Sequence, residues 1–174
     1  MPDATLSQAI QEAYASAPAS EVIYHTLEFR HAAWPAPIRV VQDVANLTAT
    51  LEADAPLNPA EPVVFTGYAF QMDLPELSDS ASPQVTITID NVSLEIEDAI
   101  NDALLTTDLV QVTYRAFLAS DLTQPANDPP LTLTLTAINA GQFQITATAL
   151  LGDFGNRRFP FEQYTATRFP GLVR

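Results

Sequence analysis

The chain has 174 residues, 47% of them hydrophobic, enough to bury one core of ordinary domain size. Its 21 acids stand against seven arginines and no lysine, a formal net charge of −14. Like-charge repulsion then excludes nucleic-acid binding through the general surface and disfavours anionic membranes, and the absence of cysteine removes disulfides, thiolate nucleophiles and thiolate metal sites together.

Met1-Pro2-Asp3-Ala4-Thr5 has neither a basic start nor a continuous apolar run, so no signal peptide is expected and synthesis is expected in the cytoplasm. No run of about 18 apolar residues offers a membrane-spanning helix. Asn46-Leu47-Thr48 and Asn91-Val92-Ser93 fit the glycosylation pattern, but without a secretory signal they read as turn and cap residues.

Leu6, Ile10, Ala13 and Tyr14 fall at helical spacing, and Ala17-Pro18-Ala19-Ser20 ends the pattern, which predicts a short amphipathic helix over 5–16. From Glu21 the period becomes two. Ile23, His25, Leu27 and Phe29 point one way and Val22, Tyr24, Thr26 and Glu28 the other, a strand with neither face fully polar. Trp34-Pro35-Ala36-Pro37 is a turn before a short strand over Ile38 to Val41. Leu47, Ala49 and Leu51 mark the next strand, and Val63 to Met72, rich in β-branched and aromatic residues, reads as one more. Leu74 to Pro83 breaks the pattern.

Val85-Thr86-Ile87-Thr88-Ile89 is the cleanest strand of the chain. Asp90-Asn91 stops it and caps a central helix whose buried stripe is Ile96, Ile100, Ala103 and Leu104, with Glu95, Glu97 and Asp98 near its positive end. Val110, Val112 and Tyr114 resume the period of two, and Asp121 to Pro130 is a loop with three prolines. Leu131 to Ala137 and Phe143 to Ala149 alternate again and read as a hairpin around Asn139-Ala140-Gly141. About eight strands and two helices predict a mainly β (α+β) domain over 1–151, a β-sandwich or partly open barrel with a flanking helix. Residues 152–174 have no clear period and form a separate C-terminal arm.

Catalytic chemistry finds little support. His25, on the more apolar face of its strand, reads as a packed core residue, and His31, beside Arg30 at the strand end, as a surface residue. No His-x-x-x-His or Glu-x-x-His exists, Asp98 and Asp102 read as a solvated helix face, and Asp90 to Asp98 lacks the central glycine of a calcium loop. There is no glycine-rich phosphate loop and no Gly-x-Ser-x-Gly elbow. No enzyme, metal or cofactor is expected.

Charge is more informative. Residues 152–174 hold Arg157, Arg158, Arg168 and Arg174 against Asp153 and Glu162, a net of +2, while residues 1–151 hold three arginines against 19 acids, a net of −16. A basic, aromatic arm suits docking on the acidic body of a neighbouring copy. Phe154, Phe159, Phe161, Tyr164 and Phe169 are the expected apolar anchors of that subunit interface, and Arg157, Arg158 and Arg168 set its register. Docking of the arm on its own domain would use the same chemistry.

Three segments resemble a family of phage and prophage tail proteins known as domain of unknown function 1833. They are Leu27-Glu28-Phe29-Arg30-His31-Ala32-Ala33-Trp34 through Ile38-Arg39-Val40-Val41, then Ile89-Asp90-Asn91-Val92 with the acidic helix after it, and Asn156-Arg157-Arg158-Phe159-Pro160 through Arg168-Phe169-Pro170-Gly171-Leu172. The resemblance implies a minor or distal tail protein of the tail tip or baseplate, with a tail-tube-like fold and no catalytic residues to transfer. It also implies a virion homo-oligomer, a ring of expected order six, meeting the tail tube, tape measure and hub. Two rival readings are a host-surface module that binds glycan or protein through Trp34 to Pro37, and a cell-wall hydrolase.

Overall fold

A computed structural model of the chain describes residues 8, 10, 21–73, 84–90, 98, 99, 102, 103, 106, 108–141 and 144–150. The period-two segments become nine strands: β1 Ile23–Arg30, β2 Ile38–Val41, β3 Leu47–Thr50, β4 Pro62–Gly67, β5 Phe70–Asp73, β6 Gln84–Asp90, β7 Gln111–Leu118, β8 Leu131–Ala140 and β9 Gln144–Leu150. They form one sheet in the order β3-β4-β2-β1-β7-β8-β9-β6-β5. Helix among the described residues is limited to Gln8, Ile10, Asp98, Ala99, Asp102 and Ala103, which lie within the two expected helices. The rest of both helices, and all of 152–174, lie outside the described residues.

One detail corrects the sequence reading. The count among the described residues is nine strands, because Val63 to Met72 falls in two strands broken at Tyr68-Ala69. Crowding fixes the residue that ends β4: a Cβ on Gly67 would stand 2.8 Å from the carbonyl oxygens of both Asp43 and Val44, so only glycine lets the chain pass there. β4 then pairs with β3 antiparallel and with β2 in parallel at Val40↔Thr66 and Val41↔Gly67. β5 pairs with β6 at the far end of the strand order. Tyr68 and Ala69 alone join them, a link that reaches no more than about 11 Å. Three hydrogen bonds tie this corner: Tyr68 N to Val41 O at 3.0 Å, Asp90 N to Ala69 O at 3.1 Å, and Gln42 Nε2 to Phe70 O at 2.7 Å.

β1 sits between β2 and β7 and is covered on both faces, which explains why neither face reads as polar. Leu27 and Phe29 enter the larger core with Val40, Val112, Leu133, Ile87, Ile89 and Ile145. Complete burial of one such side chain contributes about 1.5–3 kcal/mol. Opposite them, Tyr24 joins Val41 and Phe117 beneath the β3–β4 hairpin, whose Leu47, Ala49, Val63 and Phe65 complete a second core. Phe65 and Phe117 meet there at 6.0 Å between ring centroids, tilted by 57°.

β7 pairs with β8 only from Gln111 to Tyr114. Beyond that, the proline-containing loop supplies the missing partners. Ala116 N donates to Asn127 Oδ1 at 2.8 Å, Asn127 Nδ2 to Tyr114 O at 3.3 Å, and Ala126 N to Ala116 O at 2.8 Å. The expected hairpin of β8 and β9 is present and closes with Gly141 N to Gln144 O at 2.8 Å. Its register shifts between Leu135 and Ala137, a bulge that bends β8.

Candidate functional site

Alternation along β1 puts Glu28 on the same face as Thr26 and Arg30, and antiparallel register sets it opposite Arg39 of β2 and Thr113 of β7. Arg115 stands opposite Thr26 on that face. Glu28 and Arg115 are fully buried, and Arg30 and Arg39 nearly so. All three arginines of residues 1–151 therefore gather in one cluster.

Arg39 Nε donates to Glu28 Oε2 at 2.7 Å. Arg115 makes a two-pronged contact with Glu52, just after β3: Nε to Oε2 at 2.7 Å and Nη2 to Oε1 at 2.6 Å. Glu28 Oε1 faces Arg30 Nε at 3.5 Å and Arg115 Nη1 at 3.6 Å, and these three buried atoms have no hydrogen bond of their own. Arg39 extends the network outward to Asn58 Oδ1 at 2.9 Å, and Asn58 Nδ2 donates to Glu61 at 2.8 Å. Burial pushes the Glu52 carboxyl up. The hydrogen bonds and charge of Arg115 outweigh it, with help from Glu52's own backbone and the charge of Arg30, and hold Glu52 below the usual carboxylate range. The cluster clamps the β3–β4 hairpin onto β1 and β7.

Each arginine and Glu28 lies in or beside a segment legible as a strand, but the sequence reading missed their convergence. The signal was an acid between Leu27 and Phe29 in a strand with no polar face. It became interpretable only with the pairing register.

His25 is half-buried, stacked on Tyr114, with Nδ1 2.8 Å from the Tyr114 hydroxyl, and burial holds its pKa down. The packed reading therefore stands. His31 corrects expectation: it is buried, not on the surface. Its Nδ1 accepts from Ala33 N at 3.2 Å, which leaves the ring proton on Nε2, 3.1 Å from both Asp108 O and Thr106 Oγ1. Trp34 packs against the larger core and His31, and its indole N–H donates to Ala99 O at 2.9 Å. Asp98 and Asp102 are helical and exposed. No group of three His, Asp or Glu among the described residues stands where it could hold a metal ion.

An open groove of about 660 Å³ lies at the β4–β5 corner. Tyr68, Ala69 and Phe70 line it together with Gln42, Asp43, Val44, Gln71, Thr88, Asp90 and Gln144. Val44 is 99% exposed on a pinned loop. Asp43 Oδ1 accepts from Val44 N at 2.6 Å, and Asn46 Oδ1 accepts from Gly67 N at 3.0 Å. A smaller, wholly apolar cavity of about 40 Å³ lies between Phe29, Trp34, Ile38 and Ile145.

The residues expected to form a subunit interface, Phe154, Arg157, Arg158, Phe159, Phe161, Tyr164, Arg168 and Phe169, lie outside the described residues. No curated protein matches the chain. Residues 9–164, nearly the full length, match the family described as Domain of unknown function (DUF1833), and the chain belongs to that family.

Proposed function

We propose that the chain is a structural subunit of a bacteriophage tail tip, one copy in a ring around the tail channel. The observation that carries this reading is the distribution of charge. With no lysine in the sequence and every arginine of residues 1–151 held in the internal cluster, the exposed charges of the described body, Asp43, Asp54, Glu61, Asp90, Asp108 and Asp121 among them, are acids. A wall of one negative sign keeps passing DNA from adhering, which suits a conduit and opposes a binding site.

The fold supports the same reading. A sheet whose second and last strands in the order, β4 and β5, are joined by a two-residue link is read as a partly open barrel, flanked by the central helix, in the manner of tail-tube subunits. Resemblance of the Leu27 to Val41, Ile89 to Val92 and Asn156 to Leu172 segments to phage tail proteins adds the assembly context: a homo-oligomeric ring of six, contacting tube, tape-measure and hub proteins within the virion. The burial and hydrogen bond of Trp34 speak against a surface loop that reads glycans.

A cryo-electron reconstruction of a tailed particle encoding this chain tests the proposal. A closed ring at the tube end, with body acids toward the lumen, is expected. A basic lumen, or particles without such a ring, overturns it.

A further inference from the structure

We infer that the groove at the β4–β5 corner receives the basic, aromatic arm of residues 152–174 from a second copy of this chain. The inference rests on the ring reading and deepens it by naming the receiving surface.

Charge points to this occupant. The groove carries the exposed carboxylates of Asp43 and Asp90 beside the exposed Val44 and the part-buried Tyr68, with the buried Phe70 beneath them. An occupant should therefore bring cations and flat apolar groups together. Within a homo-oligomer the choice is narrow: the sequence has no lysine, and Arg30, Arg39 and Arg115 are engaged with Glu28 and Glu52. The remaining arginines are Arg157, Arg158, Arg168 and Arg174, interleaved with Phe159, Phe161 and Phe169. Arginines beside aromatic side chains are the residue types that dominate protein interfaces.

Direction, with the ring reading, points to a second copy. β9 begins at Gln144 in the groove wall and ends at Leu150, six steps and about 20 Å away. Leu150, after which the arm follows in sequence, therefore lies at the pole opposite the groove. An arm of this length, extended, reaches about 80 Å at most, enough for a neighbour's groove as well as its own, and the ring reading selects the neighbour. Val44 meanwhile is almost fully exposed on a loop fixed by Asp43, Asn46 and the close approach of Gly67, a preformed apolar contact.

The cysteine-free chain allows a direct test in the full-length protein. Val44→Cys and Asn156→Cys chains are mixed and mildly oxidised, with Val64→Cys, on the outer face of β4 and 56% exposed, replacing Val44→Cys as control. The 44–156 disulfide between copies should form at least about tenfold faster than the 64–156 one, as docking at millimolar effective concentration requires. Adding Asp43→Asn and Asp90→Asn should return it to the control rate. Equal rates at positions 44 and 64 overturn the inference. So does a chain carrying both Val44→Cys and Asn156→Cys that closes only within itself when dilute. Native mass measurement on the same samples separates the two readings: rings that assemble without the preferred cross-link leave the ring standing and remove only the groove.

Discussion

Arg115→Met tests whether the buried cluster holds the hairpin to the sheet. Methionine roughly matches the arginine in volume, so packing changes little while the cation is lost. Two charge-assisted hydrogen bonds to Glu52, at 2.6 and 2.7 Å, disappear, and Glu28, fully buried, loses one of its three cationic neighbours. Breaking a buried ion pair by removing one partner costs about 3–5 kcal/mol, because the remaining charge is left desolvated. A domain's whole stability is about 5–15 kcal/mol. Urea unfolding followed by tryptophan fluorescence should show a midpoint lower by roughly 2 M at a slope of about 1–3 kcal/mol per molar. Arg30→Met should cost only about 1 kcal/mol, since its contact with Glu28 is 3.5 Å long and its guanidinium donates instead to the neutral Thr113 hydroxyl. The pH dependence gives a second reading. In the parent, Glu52 lies below its ordinary 4.5, so its stabilisation is full above that value and is lost as pH falls through the folded-state pKa. In Arg115→Met the carboxyl has lost its main partner while its burial remains, so it gains from protonation instead, and the gap between the two proteins should narrow as pH falls toward 4.5. A loss below about 1 kcal/mol, or a ranking with Arg30→Met worse, would refute the argument that desolvated pairing sets the cost.

Three further outcomes follow from the same geometry. Gly67→Ala should lower stability by about 1–3 kcal/mol in thermal unfolding, because the added methyl meets the backbone of Asp43 and Val44, which cannot rotate aside. Asn127→Ala should cost about 1–3 kcal/mol, since the Ala116 amide is left without its acceptor, and hydrogen exchange at that amide should accelerate. His25 has a folded-state pKa below its ordinary 6.5 through burial, so the unfolded chain takes the proton first. Its contribution is full above pH 6.5 and declines as pH falls toward the folded value, a slope that His25→Gln should flatten in urea titrations.

The strands were legible because period two survives wherever one face is apolar. Val85 to Ile89 and the β8–β9 hairpin sit where alternation and Asn139-Ala140-Gly141 put them. Val63 to Met72 was misread because its apolar character continues across the break, and nothing local announces that Gly67 lies under the backbone of Asp43 and Val44. The parallel contact of β2 with β4, and the distance in strand order between β4 and β5, are tertiary facts with no local signature. His31 was placed at the surface for the company of Arg30. The carbonyl of Asp108 and the hydroxyl of Thr106, more than 70 residues away, are what make its burial tolerable. Of the candidate site, the basic arm was visible as composition, whereas the groove needed the fold to bring residues 42–44, 68–71, 88–90 and 144 together.

If the chain assembles as proposed, the partition of cations links folding to assembly. Glu28 and Glu52 could not be buried without arginine, and the body's three arginines are all used there. What remains exposed on the described body is acid, so two such bodies repel one another as they repel DNA. At physiological salt that repulsion is screened beyond about 8 Å, so it opposes intimate contact more than distant approach. Assembly of such bodies requires a short-range attraction carrying opposite charge, and the remaining four arginines of the sequence lie in the arm. A lysine added to the body surface would ease self-repulsion, but it would also create a second site for the DNA or for a neighbour's acids. On the proposed ring reading, confining the other arginines of the sequence to the segment that follows β9 specifies where copies meet and leaves the acidic surface of the described body to face the channel.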